Sequence, residues 1–261
     1  MIERPLFVPT PDGPLAGMVT LPDGDPAALV MVMQGYGGTR SAANQMLTRL
    51  ARALAEEGVA TLRADYAGAA ESFDAGRRER VGGVRALVTA FRDLVPDAPL
   101  YLVASCYGVA PAVAVMRAVD LSGIAIVSPV VFDLPPNFLV HIKEKPVRRS
   151  LGRLRHRLRY GSRRPRPLEQ SETTDTKVAI TEIAASVPTF VLTGSDDKRT
   201  PELLAFLETL PASNDVELEV AEGCVLHAST TPEAQLAVQD GIRRWMVRRT
   251  SGVLTPDSPP D

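Results

Sequence analysis

Cysteine and histidine are scarce in this chain, two of one and three of the other in 261 residues, and one cysteine stands where chemistry is done. Cys106 lies in YLVASCYG, residues 101–108, where an apolar strand runs into an Ala/Val-rich helical stretch. A backbone that turns from strand to helix within a residue or two needs small neighbours at the apex. Ala104-x-Cys106-x-Gly108 supplies them at the spacing of the Gly-x-Ser-x-Gly turn that holds a nucleophile above a sheet edge. Amides at the N-terminus of the following helix then favour a thiolate and a developing oxyanion. Ser105 fits less well, because the position two residues beyond it is the bulky Tyr107. A buried core cysteine would satisfy the same five residues, so the surroundings decide.

A thiol nucleophile needs a base. His141 and His156 fall in an Arg-rich stretch, whereas His227 follows the last predicted strand, in AEGCVLHAST. That is the carboxyl edge where open α/β sheets bind their ligands. A carboxylate must orient the imidazole and stabilise its cation. Asp197, in VLTGSDDKRTP, is the first choice, and Asp133, in IVSPVVFDLPP, is the alternative acid. Asp196 reads as turn chemistry. Oxyanion donors are expected at the backbone N–H of Tyr107 and at Tyr36 in the loop Gln34-Gly35-Tyr36-Gly37-Gly38, whose glycines also suit an ordinary turn. The His and Cys positions have no metal-ligand spacing, and no cofactor is implied.

The elements that must carry these residues alternate. AALVMVM at 27–33 is a continuous apolar run of the kind buried in parallel sheets. Leu47, Leu50, Ala51 and Leu54 recur at helical spacing before Gly58, a natural stop. VATLRADY, LYLVAS, GIAIVSPVV, VPTFVLTGSDD and VELEVAEG read as strands. A stripe of Val84, Leu87, Val88, Phe91 and Val95, then residues 108–118, 201–210 and 232–248, read as helices. Two short strands around a Pro-Asp-Gly turn precede them. The fold class is α/β, a doubly wound and mostly parallel sheet. Its core spans 1–134 and 184–250, with a basic, helical lid inserted at 135–183 and a disordered tail at 251–261.

Composition narrows the partners. The chain is 45% hydrophobic, and no apolar run reaches the roughly 18 residues of a membrane helix. The N-terminus lacks a secretion-signal pattern and two cysteines make no disulfide framework, so a cytoplasmic location is expected. Residues 143–166 hold eleven Lys/Arg and one acid, or +10, within a chain of net charge −2. Arg148, Arg153, Arg155 and Arg157 in that segment are candidates for docking an acidic carrier protein or a phosphate. Nucleic acid is disfavoured, because Tyr160 is the lone stacking aromatic there.

The chain resembles an α/β-hydrolase over residues 5–134 and 185–248, on QGYGG, DYAGAAES at 65–72, ASCYG, GSDD and His227. The resemblance implies the α/β-hydrolase fold and a structural role for Asp65. Cysteine as nucleophile departs from most of that family. It is shared by dienelactone hydrolases and by Dieckmann cyclases, which place their carboxylate like Asp133. The Ala-x-nucleophile elbow also resembles that of the acyl-carrier-protein thioesterase of bacterial bioluminescence, which uses serine. These relatives imply a Cys-His-Asp enzyme acting on an acyl thioester, by hydrolysis or by cyclising chain release in a biosynthetic pathway. A lactonase, or a non-hydrolytic protein on the same scaffold, is the alternative.

Overall fold

The computed structural model describes residues 1–10, 13–34, 39–66, 70–72, 80–131, 176–227 and 229–251. Eight strands form one sheet: β1 (Ile2–Val8), β2 (Leu15–Leu21), β3 (Ala28–Met33), β4 (Val59–Ala64), β5 (Leu100–Ser105), β6 (Gly123–Val127), β7 (Thr189–Gly194) and β8 (Val216–Ala221). Their spatial order is β1-β2-β4-β3-β5-β6-β7-β8. β1 and β2 pair antiparallel, as do β2 and β4, and every later pairing is parallel.

Parallel strands need crossovers, and six α-helices lie among the described residues: α1 (Met46–Glu56), α2 (Arg80–Arg92), α3 (Val109–Met116), α4 (Thr176–Ser186), α5 (Thr200–Leu207) and α6 (Pro232–Thr250). β3 shows why its sequence is apolar throughout. Leu29, Met31 and Met33 face a core shared with α2, α3 and α4, while Ala28, Val30 and Val32 face a second core under α1 and α6. The second core closes on Trp245 of α6, stacked on Phe190 of β7 and edge-on to Tyr101 of β5. α6 is capped by Thr231, whose side chain accepts from Ala234 N–H at 3.2 Å. It carries Glu233 in its first turn and Arg248 and Arg249 in its last, which complements its dipole. α1 ends at Gly58, whose φ of +76° suits glycine.

The segment expected to form the insertion, 135–183, shares its last eight residues with α4, and α4 belongs to the core. Ala179, Ile180, Ile183 and Ala184 form its buried face, and Ala179, Ile180 and Ile183 join the α2/α3 core. The remainder of that segment and the tail from 252 lie outside the described residues. Among the described residues no helix is long and apolar enough to cross a membrane.

One buried charge fixes the antiparallel edge to the parallel sheet. Arg63 of β4 is buried, and its guanidinium donates to Thr48 Oγ1 at 2.7 Å and to Glu3 Oε1 at 3.1 Å. Burial pulls Arg63 below its ordinary value, and Glu3 opposes that. Glu3 is itself held below the ordinary carboxylate range, first by its hydrogen bond from Arg52 and also by the charge of Arg63. A carboxylate lowered on folding contributes stability above its unfolded value and loses it as pH falls through the folded one. Glu3→Gln is therefore expected to cost about 1–3 kcal/mol at neutral pH. That penalty shrinks in acid, where the wild-type carboxyl is protonated too. Urea unfolding at neutral and acid pH measures both; an equal difference at the two pH values would contradict this role.

Candidate functional site

Cys106 stands at the end of β5 as the first residue of a single 3₁₀ turn, Cys106–Gly108, that leads directly into α3. Its φ is +52°, a left-handed conformation that a non-glycine residue adopts only when its surroundings impose it. The imposing contact is visible at Gly108. A Cβ there would lie 2.5 Å from the Met33 carbonyl oxygen and 3.2 Å from that of Gln34. The turn is thus pressed onto the end of β3, main chain against main chain, and only glycine fits. Cys106 is half-buried and forms no disulfide.

Two more left-handed residues, both serines, sit at the same carboxyl edge: Ser128 after β6, at φ +44°, and Ser229 after β8, at φ +42°. Ser128 is next to Val127, the register partner of Ser105, so it lies beside the Cys106 corner. Its hydroxyl donates to Asp197 Oδ2 at 3.2 Å. Asp197, in the loop after β7, is buried, and its Oδ2 also accepts from the backbone N–H of Leu226 at 2.9 Å and of His227 at 3.1 Å. The loops after β6, β7 and β8 are in this way tied through one carboxylate. Gly194 tightens the junction, since a Cβ on it would lie 2.2 Å from the Cys224 carbonyl oxygen. Asp196 serves the turn: its N–H donates to the same carbonyl at 3.0 Å and its side chain accepts from Ser195 Oγ at 2.9 Å.

Asp197 and His227 are therefore brought together, but not in the expected way. The carboxylate holds the main chain of the histidine loop, and among the described residues no carboxylate hydrogen-bonds the imidazole. The ring meets Arg199 instead, with Nδ1 3.4 Å from a guanidinium nitrogen. A guanidinium only donates, so Nδ1 accepts and the neutral ring carries its proton on Nε2. His227 is pulled below its ordinary value, first by burial and then by the Arg199 charge, while Asp197 acts in the opposite direction.

Asp65, which follows β4, is buried. It accepts from Arg40 N–H at 2.7 Å and from the Arg40 guanidinium, which also reaches Glu71 at 2.6 Å. Asp133, Tyr36, Arg148, Arg153, Arg155 and Arg157 lie outside the described residues. The main chain of Tyr107 is in the turn after Cys106. Among the described residues no group of three or more His, Cys, Asp or Glu could hold a metal ion. Two residues that sequence reasoning passed over are Ser128 and Arg199. Each sits within two residues of a strand end or a named acid, but nothing in its type marks it.

If the Gly108 contact sets the corner, Gly108→Ala must displace it. The variant is expected to lose about 1–3 kcal/mol of stability from overpacking and to lower the reactivity of Cys106 toward iodoacetamide. Thermal unfolding and alkylation rates check this; unchanged values for both would show that the corner does not depend on that approach.

The sequence matches no family model and no curated protein. Its fold does have solved likenesses. An alpha-beta serine hydrolase homologue from Coxiella burnetii superposes with a TM-score of 0.59 at 19% identity, covering 95% of this chain and 97% of that one. Est1E from Butyrivibrio proteoclasticus, solved with ferulic acid bound, gives 0.66 at 14% identity over 94% and 99%. A thermostable carboxyl esterase from Bacillus coagulans gives 0.63 at 14% identity over 98% and 100%. Likeness at such identities speaks for architecture, and it agrees with the sheet order and the strained corner after β5: this chain has the α/β-hydrolase fold.

Proposed function

We propose that this protein is an acyl-transfer enzyme in which Cys106 is the nucleophile and His227 its base, acting on an acyl thioester. The observation that carries the reading is the left-handed Cys106 at the β5–α3 corner, where strain is maintained on a side chain able to attack a carbonyl. A thiolate exchanges with thioesters at nearly no change in free energy, which suits a cysteine acyl-enzyme loaded from a thioester donor. An esterase among the fold neighbours supports acyl chemistry as the class. His227 takes the thiol proton and then serves as acid and base in the release step. Release is by water, giving a thioesterase, or by an internal carbon nucleophile, giving a ring as in Dieckmann cyclisation.

The acid is the point on which the geometry alters the balance. Asp197 spends its carboxylate on the main chain of the histidine loop and on Ser128. That favours Asp133, shortly after β6, as the group that orients the imidazole during turnover, with Asp197 as a positioning residue. The basic segment bearing Arg148, Arg153, Arg155 and Arg157 would steer an acidic carrier protein to the thiol.

Intact-mass spectrometry after incubation with an acyl N-acetylcysteamine thioester tests the reading. An acyl adduct is expected on the wild type and absent from Cys106→Ala. Turnover should fall by about a hundredfold or more in Asp133→Asn, and less in Asp197→Asn. Glu in place of Arg153, Arg155 and Arg157 should slow loading from a carrier-bound donor and leave the N-acetylcysteamine donor unaffected. An adduct that persists in Cys106→Ala, or no adduct and no turnover at all, would sink the proposal.

A further inference from the structure

We infer that β8 is a dimerisation edge: two copies of this chain join their outer strands antiparallel about a twofold axis at Leu218, and the two eight-stranded sheets run on as one. The inference concerns the sheet rather than the site and does not depend on the acyl-transfer reading. β8 is the last strand of the sheet, and among the described residues no strand pairs with its outer side. β7 is buried along its whole length, whereas no residue of β8 is buried and Leu218 is 46% exposed.

The main chain of β8 is ready for a partner. Asp215 and Ala221 turn their carbonyls to β7, accepting from Thr189 N–H at 2.8 Å and from Ser195 N–H at 2.9 Å. Residues alternate along a strand, so the main-chain groups of Leu218 and Val220 and the carbonyl of Val216 point the other way. Val216 N–H is already used, on the Asn214 carbonyl at 3.0 Å. The opposite edge is protected by comparison, because Pro5 takes an N–H out of the middle of β1. β8 has no proline and no lysine. Its acids do not guard it either, since each is matched by an arginine.

The side chains say which partner fits. Val216 packs with the core that holds Leu203 of α5, so Val216, Leu218 and Val220 lie on the α5 side. Glu217 and Glu219 lie on the α6 side, where Arg248 donates to Glu217 at 2.7 Å and Arg244 to Glu219 at 2.6 Å. A twofold axis at Leu218 sets Leu218 against the partner's Leu218, Val216 against the partner's Val220 and Glu217 against the partner's Glu219. Apolar thus meets apolar on one face. On the other, two glutamates alone would repel. Each, however, brings a half-exposed guanidinium that binds it through one nitrogen and has further donors in its fork. Arg244 comes beside the partner's Glu217 and Arg248 beside the partner's Glu219, so charges alternate across the axis. Leu218 exchanges N–H···O bonds with the partner's Leu218, and Val220 N–H donates to the carbonyl of the partner's Val216. Strands reverse at the axis, so the two carboxyl edges bearing Cys106 open in opposite directions and each copy keeps its own site.

Sedimentation velocity of the full chain tests this. Wild type is expected at twice the mass of one chain, and Leu218→Lys and Val220→Pro at half the wild-type mass. The first sets like charges together at the axis, and the second removes an N–H that β7 does not use. Circular dichroism checks that both variants remain folded. A monomeric wild type, or a dimer that survives in both folded variants, overturns the inference. If either variant unfolds, cross-linking decides. A hydrogen-bonded antiparallel pair has its Cα atoms about 5.5 Å apart, within reach of a disulfide. With Cys106 and Cys224 replaced by alanine, Leu218→Cys should oxidise to a linked dimer, and Phe7→Cys, exposed on the opposite edge strand, should not. No linked dimer from Leu218→Cys, or as much from Phe7→Cys, overturns the inference.

Discussion

A close approach of main chain to main chain underlies the site. The turn after β5 meets the end of β3 so tightly that residue 108 has no room for a side chain, and the cost is carried two residues earlier, in the same turn, as a left-handed cysteine. Such strain, about 1–3 kcal/mol for one residue, persists only where the frame around it is rigid. Here the frame is a parallel sheet with both faces covered, β3 and β5 at its centre, and α3 leaving the corner along one face. The apolar runs of the sequence thus do more than bury area. They make a platform stiff enough to keep Cys106 raised.

The second half of the site is organised by Asp197. Its carboxylate gathers N–H groups from the histidine loop and the hydroxyl of Ser128, so the turns after β6, β7 and β8 are tied to one another. A carboxylate engaged in this way sets where the histidine is, while the ring's chemical state is set by what touches its nitrogens. Among the described residues that is Arg199, and it adds to burial, the larger influence, in disfavouring the imidazolium. Position and protonation are divided between two neighbouring residues of one loop.

Much of this was legible in the residues, for identifiable reasons. Continuous apolar runs such as ALVMVM have one stable use, a strand covered on both faces, so the sheet and its crossovers could be read directly. The elbow could be read because its demand is steric, and small residues at fixed spacing are a steric record. The meeting of Asp197 with His227 followed from topology, since adjacent parallel strands open at one edge. The atoms that meet did not follow, because a carboxylate near a histidine can bond the ring or the main chain, and side-chain direction leaves no trace in residue type. Arg199 was hidden for the same reason. α4 was missed because Ala179, Ile180 and Ile183 form a short stripe after a long polar, Arg-rich stretch, and the pattern of the larger segment masked it.

All of the chemistry requires that His227 act on Cys106. The most direct measurement is the rate of Cys106 alkylation by iodoacetamide as a function of pH, in wild type and His227→Asn, with Cys224 replaced by serine in both. A thiol ionised by that imidazole should react about tenfold or more faster in the wild type at neutral pH, with the two rates converging in alkaline solution, where the thiol ionises unaided. Superimposable profiles across the whole range would mean that the histidine and the cysteine never meet.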